Sequence, residues 1–367
     1  MERSIIFILT SIVNPNSIKR IDEFVSRGYK VCAYGFKREI DVPNKSKYVD
    51  IEVLGSFKNN LSYIKRCTII YHGIKKVLQE TEGHCNLYYL VGLDVAMLFK
   101  LQSKSPYIFE EADLVHTNIA NSWIRKVYER VDKLIIRKSV LSAFRSEGFV
   151  KYHFGDNVPD NVHVISNRLN IGIKDFEVLP QKPVDFEHLK IGYVGFIRYK
   201  SILNFAKVFC REFPQHEFHF YGTFTSETNE RSFSVLKGYK NCIFHGSFKS
   251  PDELNKIYSQ IDMVLSTYDV SSENVRYAEP NKIYESIYFE TPIVVSSGTF
   301  LADKVKMLGV GYDIDAMNDD EIIKFVSNLS EESLLEKKQN AQKIDKRETL
   351  NINEDFFKKL DNIINTL

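Results

Sequence analysis

The strongest constraint on the fold of this chain is an alternation of short apolar runs with helical periodicity, repeated twice along its length. Ser4–Ser11 is a nearly continuous apolar run, the signature of a strand buried on both faces. Asn14, Asn16 and Ser17 then supply turn and capping chemistry. Ile18, Ile21, Phe24 and Val25 recur at helical spacing, and Gly28 ends the helix. Tyr29–Phe36 reads as the next strand and Val49–Leu54 as a third. Leu61–Glu80 reads as a long helix, Leu87–Val91 as a strand, Asp94–Leu101 as a helix, and Tyr107–Phe109 as a strand ending at Glu110. A helix over 122–131, a strand over Lys133–Arg137, a helix over 140–148 and a strand over Val162–Ile165 complete the first run.

The segment from Asn167 to His188 breaks this rhythm with Pro180 and Pro183 and reads as a linker. The pattern then restarts. Lys190–Val194 is a strand, Ile202–Phe213 a helix, Glu217–Tyr221 and Cys242–Phe244 are strands. Ser250-Pro251-Asp252-Glu253 is a helix start. Asp262–Thr267 is a strand, 280–289 a helix and Pro292–Ser296 a strand. The remainder is mostly helical and closes with a helix over Asn353–Leu367.

Alternating strands and helices imply parallel sheets covered on both faces. The expectation is therefore an α/β chain of two doubly wound, Rossmann-like domains facing across a cleft. They span 1–170 and 189–350, with a linker over 171–188 and a C-terminal helix in 351–367 that packs back on the first domain. In such sheets ligands bind at the carboxyl ends of the strands, so the cleft is the expected active site.

Several function classes are excluded at this level. Lys plus Arg total 49 against 48 Asp plus Glu, a net charge of +1, which argues against a nucleic-acid binder. The five cysteines are scattered without a C-x-x-C pair, which fits reduced thiols in a cytoplasmic protein. No apolar run reaches the ~20 residues a membrane span needs. The loop after the first strand, Ser11-Ile12-Val13-Asn14-Pro15-Asn16, lacks the glycines of a dinucleotide fingerprint. No phosphate loop of the G-x-x-x-x-G-K-[ST] type, H-E-x-x-H or G-x-S-x-G is present.

The informative block is Asp262–Asp315. An apolar strand from Asp262 to Tyr268 leads through a polar loop to Glu279-Pro280-Asn281-Lys282-Ile283-Tyr284-Glu285. Glu290-Thr291-Pro292-Ile293-Val294-Val295-Ser296 follows. This order resembles the donor-nucleotide site of GT-B glycosyltransferases, in particular the bacterial family-4-like transferases of capsule and exopolysaccharide assembly. Gly192-Tyr193-Val194-Gly195-Phe196-Ile197-Arg198-Tyr199-Lys200 resembles that family's first strand and phosphate-contacting loop in the second domain. Ile165-Ser166-Asn167 is similar to its linker motif, and Phe109-Glu110-Glu111-Ala112-Asp113 to its first-domain acidic motif.

The resemblance implies a transferase that binds acceptor on the first domain and a nucleotide-diphosphate sugar on the second. The physics agrees with it. Glycosyl transfer expels a diphosphate whose growing charge must be stabilised. A helix starting near Pro280 offers N–H groups and a positive dipole end, with Asn281 at its start. Arg198, Lys200 and Lys282 offer cations. Glu285, one turn into that helix, stands where the family's ribose-binding carboxylate stands. Taken alone it would read as an exposed helix residue. Retaining members carry a second glutamate eight positions earlier. Here that position is Tyr277, and Glu279 lies only six before Glu285, so the anomeric outcome stays open.

An inverting transferase needs a base for the acceptor hydroxyl. Asp113, beyond the apolar strand that ends at Glu110, is the first choice; its alternative reading is loop capping. His116 is a loose substitute for the histidine that many members carry where Ala112 stands. The catalytic candidates are thus Asp113, Glu279 and His116. Histidine spacing suggests no metal site. Asp313-Ile314-Asp315 reads as structural. The resemblance implies a reaction without metal or other cofactor.

From Ser122 to Gly155 eight Lys/Arg stand against three Asp/Glu, with Trp123, Phe144, Phe149, Tyr152 and Phe154 interleaved. Two readings stand. One is a basic, aromatic face that rests on an anionic membrane, matching a polyprenyl-diphosphate-linked saccharide acceptor on the cytoplasmic side of the plasma membrane. The other is a pair of amphipathic helices with core aromatics. Two rival functions also fit the architecture: a nucleotide-sugar 2-epimerase, and a non-catalytic binding subunit of the same fold.

Overall fold

Strand burial organises the molecule. In the computed structural model, which describes residues 4–38, 45–58, 61–82, 87–175, 179 and 183–366, two all-parallel sheets form. The first contains β1 (Ser4–Leu9), β2 (Lys30–Arg38), β3 (Ile51–Phe57), β4 (Leu87–Val91), β5 (Tyr107–Glu111), β6 (Leu141–Phe144) and β7 (Val162–Val164). Their spatial order is β3-β2-β1-β4-β5-β6-β7. The second contains β8 (Lys190–Val194), β9 (Glu217–Tyr221), β10 (Cys242–Gly246), β11 (Met263–Ser266), β12 (Ile293–Ser296) and β13 (Gly311–Ile314), in the order β10-β9-β8-β11-β12-β13. In both sheets the order reverses beside the first strand, between β1 and β4 and between β8 and β11. That is where doubly wound sheets open a crevice at their carboxyl edge.

The chain divides into two units. The first holds residues 1–166 together with 353–367, and the second holds 167–352. The crossing at Ser166–Asn167 comes earlier than the sequence boundary. Asn167 donates its side-chain amide to the Glu279 carbonyl at 3.2 Å, and the Leu169 backbone pairs with Thr349 and Asn351. Residues after it continue in the second unit, with Ile173 buried in a short 3-10 turn, Ile171–Asp175. Of the proposed linker, 176–178 and 180–182, including Pro180, lie outside the described residues, as does Cys85.

Three elements differ from the sequence reading. Lys133–Arg137 is not a strand but the last part of a helix, Ser122–Lys138. Asp132, Ile135, Ile136 and Ser139 are its buried positions, a 3–4 spacing that no strand can present to one core. Asn121 caps this helix by accepting the Trp123 and Ile124 N–H groups. The displaced strand is β6, within the stretch expected to be the helix 140–148. All four of its residues are buried between β5 and β7, and the helix follows at Glu147–Phe154. The helix expected from Ser250 begins at Leu254, after a turn in which the Glu253 carboxylate accepts the Lys249 N–H.

The last helix, Glu354–Ile364, returns to the first unit. Phe356, Phe357, Leu360 and Ile364 recur at helical spacing and join a core with Ile5, Phe7, Phe24 and Tyr89. The Phe357 ring meets Phe24 edge-on at 4.9 Å, and the Tyr29 hydroxyl donates to Asp361 at 2.6 Å. Phe357→Ala should cost this unit about 3–5 kcal/mol by emptying a packed aromatic site. Urea denaturation followed by circular dichroism measures it, and an unchanged midpoint would refute the docking of this helix.

Candidate functional site

The second sheet sends β8 and β9 into loops that begin with glycine. Gly195 has φ +133° and Gly222 φ +142°. A Cβ on Gly222 would sit 1.9 Å from the Gly195 carbonyl oxygen, so the two loops cross at a distance only glycine permits. A Cβ on Gly195 would lie 3.2 Å from Lys282 Nζ, which places this loop against the helix Lys282–Tyr288.

Lys282 is 8% exposed. Its ammonium lies 4.8 Å from the centre of the Tyr193 ring and 5.7 Å from that of Tyr268, and it donates to the Tyr268 hydroxyl at 3.3 Å. Burial opposes its charge, but the Tyr268 and Tyr193 phenols and Glu285 raise its pKa above the ordinary lysine value. Among the described residues no carboxylate lies within ion-pair distance of it. Such a cation has aromatic faces for solvation and no resident counter-charge.

Its surroundings are held rigidly. Ser296 accepts the Tyr268 N–H at 2.8 Å and donates to the Tyr268 carbonyl at 2.9 Å. The Tyr199 and Tyr268 rings meet edge-on at 4.7 Å. Arg198 is exposed on the loop from β8, and Lys200 is exposed as the first residue of the helix Lys200–Glu212. The Arg198 guanidinium lies 4.8 Å over the Tyr199 ring and donates to its hydroxyl at 2.6 Å. Asp269 accepts the Lys200 and Ser201 N–H groups at 3.2 and 2.9 Å, so that helix start carries a carboxylate cap from another loop.

The remaining second-unit candidates have distinct settings. Glu285 is buried and accepts the Tyr258 hydroxyl at 2.7 Å. Asn281 is exposed at the start of its helix, its side chain makes no cap, and its carbonyl receives the Tyr284 and Glu285 N–H groups. Tyr277 is half-buried at the end of the short helix Glu273–Tyr277. Glu279 is 2% exposed, pairs with Lys304 at 2.6 Å and accepts the Tyr284 hydroxyl. Its side chain ties three segments of the second unit together. In the D-x-D pair, Asp313 binds Lys306 at 2.9 Å, while Asp315 accepts the Met317 N–H.

On the first unit the acidic motif at the carboxyl end of β5 splits three ways. Glu110 is buried between Arg145, at 2.5 Å, and the Tyr89 hydroxyl, also at 2.5 Å. Burial pushes its pKa up, but Arg145 and Arg20 outweigh this and hold it below the ordinary value. Glu111 points into a buried cluster with His153. Asp113 is exposed. His116 is fully buried in the 3-10 turn Val115–Asn118, its Nδ1 3.2 Å from Asp132 and its Nε2 3.3 Å from the Tyr152 hydroxyl. A ring with no exposed surface is placed to support neighbours rather than to meet a solute.

The 122–155 segment also divides. Phe144 and Phe149 are core residues, and Tyr152 and Phe154 are half-buried. Trp123, the residue expected to lie in the core on the amphipathic-helix reading, is 72% exposed beside Ile124, and Ile64 is 78% exposed on the neighbouring helix Tyr63–Glu80. Sequence reasoning missed Gly222, Tyr268, Asp269 and Ser296. One signal was available: both Gly195 and Gly222 directly follow an apolar strand, where a functional loop needs close backbone approach.

The architecture has solved counterparts. HepE of Anabaena in complex with UDP-glucose superposes with a TM-score of 0.71 at 14% identity, covering 98% of this chain and 99% of that one. The lipopolysaccharide outer core galactosyltransferase WaaB gives 0.62 at 14% identity, covering 99% and 100%. A putative UDP-N-acetylglucosamine 2-epimerase from Listeria monocytogenes gives 0.64 at 12% identity, covering 94% and 93%. No family model and no curated protein sequence matches the chain. The fold is GT-B, two Rossmann-like units each built on a parallel sheet.

Proposed function

We propose that this protein is a glycosyltransferase that moves a sugar from a nucleotide-diphosphate sugar to a saccharide acceptor. The observation that carries the reading is Lys282, a buried ammonium among phenol rings with no carboxylate partner among the described residues. A diphosphate supplies the missing charge. Arg198 on the adjoining loop, Lys200 at the start of the helix Lys200–Glu212, and the start of the Lys282–Tyr288 helix at Asn281 add donors to the same anion. Glu285 would accept from the ribose hydroxyls, with Tyr258 fixing its other side, and Tyr277 lies near the donor. No metal is needed for this scheme, since the cations replace it at the leaving group.

Asp113 is the proposed base. It is the exposed member of the motif Glu110-Glu111-Ala112-Asp113, in which Glu110 and Glu111 are buried. The acceptor is proposed to be a polyprenyl-diphosphate-linked saccharide in bacterial surface polysaccharide synthesis, met at the cytoplasmic face of the membrane. Among the described residues no helix is long and apolar enough to cross a membrane. Exposed Trp123, Ile124 and Ile64, with Lys126 and Arg130 on the same helix as Trp123, support peripheral docking. The epimerase-like structure favours a second reading, isomerisation of a nucleotide sugar without an acceptor.

Neighbours solved with UDP make UDP the first nucleotide to test. Lys282→Met should weaken UDP binding about tenfold or more, and Glu285→Ala by about 1–3 kcal/mol, read by calorimetry or thermal shift. Binding unchanged in both variants would overturn the donor site. Incubation with UDP-sugars and acceptor separates the functions. Free UDP means transfer, an altered sugar means epimerisation, and binding without turnover means a non-catalytic subunit.

Asp113→Asn should lower turnover by ~10²-fold with UDP binding retained. An active Asp113→Asn beside an inactive Glu279→Gln would instead indicate a retaining arrangement.

The protein should sediment with anionic vesicles at low salt and not with neutral ones, since exposed charges are screened over ~10 Å at 0.1 M. Reversing the exposed Lys126, Arg130, Lys138 and Lys151 to Glu should abolish sedimentation. Equal sedimentation of both proteins would remove this surface from the proposal.

A further inference from the structure

Four ionisable side chains gather inside the first unit. Glu111 closes β5. Asp132 lies in the helix Ser122–Lys138, His153 in the helix Glu147–Phe154, and His116 in the turn Val115–Asn118. All four are buried, with relative exposures of 1% for Glu111 and Asp132, 0% for His116 and 7% for His153. Ligand atoms of Glu111, Asp132 and His153 lie within 4.8 Å of one another. His153 Nε2 is 2.9 Å from Glu111 Oε1 and 3.9 Å from Asp132 Oδ2, and His116 Nδ1 is 3.2 Å from Asp132 Oδ2.

Inside a core such groups are normally saturated with hydrogen bonds. Here Glu111 Oε2, both Asp132 oxygens and His116 Nδ1 are buried without a hydrogen-bond partner among the described residues, as is His153 Nδ1. The His116–Asp132 approach is close enough for an ion pair but lacks hydrogen-bond alignment. Two carboxylates thus share a dry site. Burial, then the Asp132 and Asp113 charges, push Glu111 far above the ordinary carboxyl pKa. Burial also lowers the pKa of His153, which keeps its imidazole neutral and able to donate a lone pair.

We propose that Glu111, Asp132 and His153 form a structural site for a divalent metal ion of the zinc class, with His116 held against Asp132. A tetrahedral ion with bonds of about 2.0–2.1 Å holds its ligand atoms about 3.3–3.4 Å apart, and the His153 separations of 2.9 Å from Glu111 and 3.9 Å from Asp132 bracket that edge. Two carboxylates balance the charge of a dication, and His153 adds an imidazole donor. Binding releases the proton that Glu111 holds. His116 backs the site: its Nδ1 stands 3.2 Å from Asp132 and its Nε2 3.3 Å from the Tyr152 hydroxyl, to which Arg125 donates at 3.4 Å.

Ligands on three separate elements would pin the carboxyl end of β5, and with it the start of the Asp113 loop, to the helices Ser122–Lys138 and Glu147–Phe154. The role is architectural and independent of the donor reading, because none of the four residues belongs to the second unit.

The test uses full-length protein purified without a polyhistidine tag. Elemental analysis should find about one zinc per chain, and chelator treatment should lower the melting temperature by ~5 °C or more, reversed by added zinc alone. Cobalt(II) added to the stripped protein should give the intense visible absorption of a tetrahedral site. Asp132→Asn combined with His153→Gln should lose that absorption while UDP binding by the second unit persists. Stripped wild-type protein that melts as before and gives no tetrahedral cobalt spectrum would overturn the proposal whatever the variants do. Because the decisive readings use wild type, a variant that fails to fold does not protect it.

Discussion

Parallel strands buried on both faces impose the constraint from which the rest follows. Each such strand must be re-entered from the same end, so every crossover leaves from one carboxyl edge. Strands such as β1, β4 and β12 are almost wholly buried and largely apolar. Polar side chains collect at their carboxyl ends and in the loops that follow. Gly195, Arg198, Tyr268 and Ser296 gather there on the second sheet, and Glu110, Glu111 and Asp113 on the first.

Charge taken into this dry framework is treated in three ways. Glu110 and Glu279 are ion-paired, the first with Arg145 and Arg20 and the second with Lys304, and so serve to lock elements together. Lys282 is solvated by aromatic faces, which tolerate a cation yet leave its charge available to an anion. The Glu111–Asp132 pair is left with unsatisfied oxygens. A folded chain keeps an unmatched buried charge only where something compensates it. The proposed anion site on one unit and the proposed cation site on the other rest on these two sets.

The chain passes between its units twice, at Ser166–Asn167 and at Ile352–Asn353. The second passage has a plain cause. Phe356, Phe357, Leu360 and Ile364 give the last helix an apolar stripe, and the aromatic cluster around Phe24 and Tyr89 offers it a matching surface. The chain terminus is thereby built into the core of the unit where it began.

Sequence alone determined what depends on local order. Continuous apolar runs specified buried parallel strands, and their alternation with helices specified two doubly wound units. The stretch from Pro280 to Glu285 marked a helix carrying Lys282 and Glu285 beside an apolar strand. Tertiary structure decided what depends on neighbours distant in sequence. Leu134, Ile135 and Ile136 look like a strand because adjacent apolar residues suit one. Only the core beneath Asp132, Ile135, Ile136 and Ser139 selects the helix and passes the strand to Leu141–Phe144. Trp123 carries the same hydrophobicity wherever it lies, and its exposure follows from the face the helix turns inward. Glu111, Asp132 and His153 show no ligand spacing because they come from three elements. Their convergence, like the crossing of Gly195 and Gly222, is a consequence of strand order in the folded sheet, which no local pattern records.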